Sequence, residues 1–132
     1  MNAEATVREY YHALRTGDPL APFFADDERT VKFGISETLR GGASVAEGLR
    51  EQTATTTDWQ VDSRNLVVGE REGWAWFSDD VFMAWTDTRK RIRYEFDTRW
   101  SGALERRGDG WRFVAMHVST AGDFLMRRPG AG

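Results

Sequence analysis

His117 is the side chain in this sequence best suited to moving a proton. Its unperturbed pKa is about 6.5, so a modest shift makes it an acid or a base at neutral pH. It stands in the β-rich run Gly110-Trp111-Arg112-Phe113-Val114-Ala115-Met116-His117-Val118-Ser119, where alternation gives Ser119 the same face. Arg99 and Ser101 share a face on the preceding β-rich run. Two readings of these four residues are open. They form a hydrogen-bonded lock between strands, since buried polar groups need partners whatever their role. Or they line a pocket in which His117 shuttles a proton and Arg99 stabilises negative charge. Asp97 and Arg99 alternate as an acid–base pair, which also reads as a cross-strand ion pair at the surface. Tyr10 and Tyr11 offer phenols to a developing oxyanion, or belong to the core with their hydroxyls at its rim.

Composition removes other chemistries. The chain has no Cys, so it has no disulfide framework, no thiolate metal site and no Cys nucleophile. It has two His, and His12 has no neighbour at ligand spacing, so no zinc site or other cofactor is expected. Arg89-Lys90-Arg91-Ile92-Arg93 is basic but sits at a predicted hairpin end, where a solvated turn is the simpler reading. With a net charge of -3, no nucleic-acid partner is expected. The start carries neither a basic nor an apolar leader segment, and the longest apolar runs are too short to span a bilayer. A cytoplasmic protein with no membrane partner is the expectation.

The elements that must position these residues follow from periodicity. Ala3, Val7, Tyr10, Tyr11 and Leu14 form one stripe of an amphipathic helix over 3–16, stopped by Thr16-Gly17-Asp18-Pro19. Asp18-Pro19 predicts a short second helix from Pro19 to about Ala25. Thr30 to Ile35 has β character. Ser44 and Glu47 predict a capping box for a third helix from Val45 to about Thr53. Four β-rich segments follow: Trp59 to Glu70, Trp74 to Thr86, Ile92 to Arg106 and Trp111 to Thr120. Their short breaks predict antiparallel pairing in sequence order. The fold class is therefore α+β, with N-terminal helices packed on a strongly curved, mainly antiparallel sheet. One domain over 1–126 and a disordered tail over 127–132 are expected. Ile92, Tyr94, Phe96, Trp100 and Leu104 share one parity, as do Val114, Met116 and Val118. An outer sheet face this apolar predicts a homodimer through it.

Several short motifs occur in a consistent order: Phe33-Gly34-Ile35-Ser36-Glu37-Thr38-Leu39-Arg40-Gly41, Gly73-Trp74-Ala75-Trp76-Phe77, Arg99 with Ser101, and Trp111 followed by His117-Val118-Ser119. Together they resemble the SnoaL-like group of the nuclear transport factor 2-like (NTF2-like) superfamily over nearly the whole chain. The ending is also similar to the association domain of calcium/calmodulin-dependent kinase II. The resemblance implies a cone: a curved sheet wrapped around the first helix, with a pocket at its open end, in a homodimer. It implies that Arg99, Ser101, His117 and Ser119 point into the cone, that a pocket tyrosine is supplied by Tyr10 or Tyr11, and that Phe113 and Glu37 join the pocket. Asp97, with Asp79 or Asp80, resembles the carboxylates of epoxide hydrolases of the superfamily. Where ketosteroid isomerase carries its general-base Asp, this chain reads Val31-Lys32-Phe33-Gly34, with no carboxylate; Glu37 is the nearest acid.

Three functions fit these residues. The first is a cofactor-free acid–base enzyme (isomerase, cyclase, dehydratase or epoxide hydrolase) on a small apolar molecule. The second is a binding module that holds an apolar acid through Arg99. The third is an assembly module. The first is preferred because this cone so often houses acid–base chemistry, which is analogy of fold.

Overall fold

Asn2 starts the first helix, its side chain accepting the Ala5 N–H at 2.8 Å. In the computed structural model, which describes residues 1–120, this helix, α1, spans Ala3–Thr16. Gly17 ends it in the left-handed region at φ 75°. The expected stripe is the buried one, joined by Thr6 and Ala13.

The segment after Pro19 does not make the expected helix. A single 3-10 turn, Ala21–Phe23, is all that forms. Pro19 and Pro22 remove two backbone donors within four residues, too many for an α-helical turn to survive.

The short strands β1 (Val31–Phe33) and β2 (Thr38–Arg40) lead into α2, Gly42–Thr55. This helix begins earlier than expected, and Gly41 caps it without a side-chain hydrogen bond. The Ser44–Glu47 capping box therefore does not form. The reason is a backbone contact: Gly41 donates to the Thr30 carbonyl at 2.7 Å and Gly42 to the Asp27 carbonyl at 2.9 Å. A Cβ on Gly42 would stand 2.9 Å from the Asp27 nitrogen, so only glycine lets the two segments approach this closely.

The remaining strands are β3 (Thr56–Ser63), β4 (Val67–Arg71), β5 (Trp74–Asp87), β6 (Ile92–Arg107) and β7 (Gly110–Thr120). Seven strands form one sheet in the order β2-β1-β7-β6-β5-β3, with β4 also on β5. The predicted segment 59–70 is thus two strands, broken at Arg64-Asn65-Leu66, and both pair with β5. The pairing of β1 with β7 is parallel and the others are antiparallel. The long strands bend around α1, with register shifts between Thr57 and Gln60 and between Ala103 and Leu104. The expected end of the domain at 126 and the tail over 127–132 lie outside the described residues.

Bending decides which parity is inside. Phe77, Val81 and Met83 of β5, Trp100 and Leu104 of β6, and Phe113, Met116 and Val118 of β7 are buried in one core with α1. The expectation that the parity of Trp100, Leu104, Met116 and Val118 faces outward is therefore corrected: these side chains fill the concave face. The convex face carries the opposite parity, and that parity is largely polar on β6 and β7.

One buried carboxylate ties the layers together. Asp79, on the concave face of β5, accepts from the Tyr11 hydroxyl at 2.8 Å, the Ser63 hydroxyl at 2.6 Å and the Asn65 backbone N–H at 2.9 Å. It links α1, the end of β3 and the break before β4. Replacing Asp79 with Ala leaves these donors without their acceptor. The expected cost is about 3 kcal/mol, since buried groups left unpaired lose their full desolvation energy. Urea unfolding of the Asp79→Ala variant measures it; an unchanged midpoint would contradict this linking role.

Candidate functional site

The open end of the cone holds a cavity of about 280 Å³. This is just below the range of about 300–1,000 Å³ usual for small-molecule sites, so only a small ligand fits. Tyr10, Trp100, Met83 and Val118 contribute from α1 and the concave sheet, and Gly48, Glu51 and Gln52 from α2. Trp59 and Trp85 add an aromatic wall, stacked at 5.0 Å with their planes 15° apart. Trp59 is fixed by its indole N–H, which donates to the Thr56 hydroxyl at 2.8 Å. Trp100 is fixed the same way by Thr98, at 2.8 Å.

Into this apolar surround comes an ion pair. Lys32 lines the cavity and its ammonium donates to the Glu37 carboxylate. The lysine side chain is 7% exposed and the glutamate's 36%. Local structure explains the pairing. In its parallel partnership with β7, Lys32 is level with Met116, a concave-face residue, while Phe33 is level with His117 on the convex face. The chain then turns back, Gly34 donating to the Glu37 carbonyl at 3.0 Å. A Cβ on Gly34 would stand 2.8 Å from the Glu37 Cγ, so glycine is what allows the carboxylate to fold over the lysine.

Tyr10 lines the same cavity. It is buried, and no protein hydrogen bond to its hydroxyl is found among the described residues. Burial, and secondly the charge of Glu37, raise its pKa well above that of an ordinary phenol. Tyr11 is raised too, by burial and then by Asp79, which holds its hydroxyl. Tyr10 therefore remains a donor across the physiological range, next to a carboxylate and an ammonium. Among the described residues, no group of three or more His, Cys, Asp or Glu gathers as a metal site.

Of the catalytic and pocket candidates named from the sequence, Tyr10 and Glu37 line this cavity and the others do not. Phe113 is fully buried below it, packed at 5.3 Å from Tyr10, 5.3 Å from Phe24 and 5.7 Å from Phe77. Tyr11 is turned toward Asp79 and Trp100. Arg99, Ser101, His117 and Ser119 do come together, but on the convex face, opposite to the orientation expected. Strand register explains it: Ser101 pairs with His117 and Arg99 with Ser119, while the buried residues Trp100 and Val118 pair between them. With Asp80 and Ser78 they line an open groove of about 440 Å³. Arg99 there donates to the Ser119 hydroxyl at 3.4 Å and the Thr120 carbonyl at 3.1 Å. His117 meets the edge of Phe33, 5.8 Å between rings. Asp97, also outside, forms an exposed pair with Arg64 at 2.9 Å. The surface reading of Asp97 is the one the structure supports, because nothing desolvates that pair. The groove is larger than the cavity but more open, and water competes for every polar contact in it.

A family model described as SnoaL-like domain matches residues 3–123. The chain belongs to the SnoaL-like domain family. Solved structures agree on the fold. A protein of the NTF2-like family from Streptomyces avermitilis, named for dehydratase activity, superposes with a TM-score of 0.77 at 16% identity, over 89% of this chain and 93% of that one. A ketosteroid isomerase-like protein from Erwinia carotovora atroseptica gives 0.71 at 18% identity, over 89% and 92%. A protein from Xanthomonas campestris named for the calcium/calmodulin-dependent protein kinase II association domain gives 0.74 at 17% identity, over 91% and 86%. Among the curated proteins none matches this SnoaL-like sequence. Identities this low carry the fold and leave the chemistry to the residues.

Sequence reading passed over Lys32. The stretch Val31-Lys32-Phe33-Gly34 drew attention only for the carboxylate it lacks. The parallel pairing to β7 is what turns Lys32 inward. A usable signal was the placement of Gly34 and Glu37 directly after a lone lysine in a short strand.

The two raised phenols give a pH prediction. An unfolded chain ionises its tyrosines near pH 10, while Tyr10 in the folded chain does not. The folded state thus binds the proton more tightly, and this contribution to stability is lost as pH rises past 10. Denaturant midpoints measured from pH 8 to about 11 should fall less steeply for Tyr10→Phe than for the unsubstituted chain; identical slopes would contradict the burial of the phenol.

Proposed function

We propose that the cavity at the mouth of the cone binds a small, largely apolar molecule with a polar oxygen and performs cofactor-free acid–base chemistry on it. The supporting observation is the Lys32–Glu37 pair, set beside Tyr10 among Trp59, Trp85 and Trp100. Aromatic walls bind and orient the apolar body of the ligand. Lys32 and the Tyr10 hydroxyl, both donors, meet an oxygen on which negative charge develops. The Glu37 carboxylate is the base, taking a proton from the neighbouring carbon or from water, and returns it once the bond order has changed. Isomerisation, cyclisation, dehydration and epoxide opening all consist of such steps. The dehydratase name of the Streptomyces avermitilis neighbour is consistent with this class.

His117 and Arg99 take no part in this proposal, because they stand on the other face of the sheet. Their groove belongs to a second reading, a homodimer through the convex face. Trp74 and Trp76, exposed on that face, favour it. Light scattering at micromolar concentration decides it, and a monomer would count against it.

The test of the enzyme reading is a thermal-shift screen of small aromatic acids, ketones and epoxides, followed by turnover assays on the hits. A ligand at about 100 times its Kd stabilises the fold by roughly 2.7 kcal/mol. Lys32→Met is expected to weaken a hit by about tenfold, the loss of one charged hydrogen bond. Glu37→Gln is expected to keep binding and lose turnover. Hits weakened instead by Arg99→Ala or His117→Ala would move the site to the convex groove and refute the cavity.

A further inference from the structure

Only two of the eighteen basic side chains in this sequence are lysines, Lys32 and Lys90; the others are arginines. Lys90 is exposed at the tip of the β5–β6 hairpin. Lys32 is buried in the cavity. Arginine is the better residue for a buried ion pair, because its planar fork is weakly hydrated and can grip a carboxylate with two bonds. A lysine there gives up that grip. What it gains is an amine that can lose its proton, which arginine cannot.

A group able to take that proton stands beside it. The ammonium and the Glu37 carboxylate are already in hydrogen-bond contact. An apolar ligand that displaces water from the cavity leaves both charges in a poorer dielectric, where a charged pair is costly. Passing one proton from Nζ to Oε1 along the existing hydrogen bond makes both groups neutral. The Glu37 contact uses one of the three N–H donors of the ammonium, and Lys32 itself lines the space in which the ligand sits.

We propose that Lys32 is a nucleophile that forms an imine with a small aromatic aldehyde or ketone bound in this cavity. The proposal rests on the cavity being the ligand site. After the proton passes to Glu37, the Nζ lone pair attacks the carbonyl carbon, and the C=O π pair moves to the oxygen. That oxygen takes a proton from the Glu37 carboxyl, and Nζ returns one to it, giving a neutral carbinolamine. Glu37 then protonates the hydroxyl, which leaves as water while the nitrogen lone pair forms the C=N bond. An ammonium and a carbonyl compound have become a protonated imine and one water, with no oxidant or reductant consumed. Tyr10, a donor lining the same cavity, stabilises the oxyanion of the addition step. Bound this way, a carbonyl compound gains a cationic nitrogen that withdraws electrons from the neighbouring carbon, where Glu37 is placed as base.

The full chain is incubated with benzaldehyde or acetophenone and sodium cyanoborohydride, and the product is read by intact mass and peptide mapping. The expected result is one adduct, heavier by the carbonyl compound less one oxygen atom, on the peptide containing residue 32. Its rate should saturate with carbonyl concentration and exceed that at Lys90 by about tenfold or more. Glu37→Gln should bring the rate at residue 32 down to that of Lys90. Lys32→Arg keeps the charge and should abolish the adduct. Lys90→Arg leaves Lys32 as the sole lysine and should label as the unsubstituted chain does, which secures the assignment even if the Lys32 variant folds poorly. Tryptophan fluorescence quenching by the same compounds reports occupancy of the cavity independently. Saturable quenching with labelling confined to Lys90 or the amino terminus would overturn the imine and leave the cavity as the ligand site. No saturable quenching and no adduct at residue 32 would overturn both.

Discussion

A lysine ammonium placed among tryptophans must find a countercharge, because an unpaired ion in so apolar a site is too costly to persist. Much of the local architecture of this chain serves that requirement. The parallel pairing of β1 with β7 turns Lys32 inward. The chain reverses after β1, and Gly34 leaves the room that the Glu37 side chain needs to reach it. Gly41 and Gly42 then let α2 start against the 25–30 segment, so that Gly48, Glu51 and Gln52 form the far rim of the cavity.

The two faces of the sheet divide the polar residues into two groups of different character. On the concave side, most of the buried polar groups are committed: Asp79 to Tyr11, Ser63 and Asn65, Thr98 to Trp100 and the Val81 carbonyl, Lys32 to Glu37. On the convex side, Arg99, Ser101, His117 and Asp97 are open to water. Electrostatic effects are far stronger in the first environment than in the second. Chemistry that depends on a few preorganised charges therefore belongs to the concave side, even though the convex groove has the larger volume.

The elements were legible in the sequence where periodicity and turn chemistry agree, as in α1 with its Gly17 stop and in the β5–β6–β7 meander. They were not legible where tertiary contact overrides local preference. Gly41 and the backbone of 25–30 set the start of α2, not Ser44. Two prolines reduced the second helix to one turn. For the site, Tyr10 and Glu37 were named and Lys32 was not. The cause is a single binary choice of parity: alternation shows which residues share a face but not which face is inside. Trp100 and Val118 were expected on the outer face, and the resemblance put Arg99 and His117 inside. The burial of Trp100 and Val118 in the core with α1 reverses both.

The most direct measurement is a crystal structure of the protein with a thermal-shift hit bound. The account predicts the ligand between Trp59, Trp85 and Trp100, with its polar atom within hydrogen-bond distance of Lys32 or Tyr10. A ligand bound instead in the convex groove, against Arg99 and His117, would contradict it.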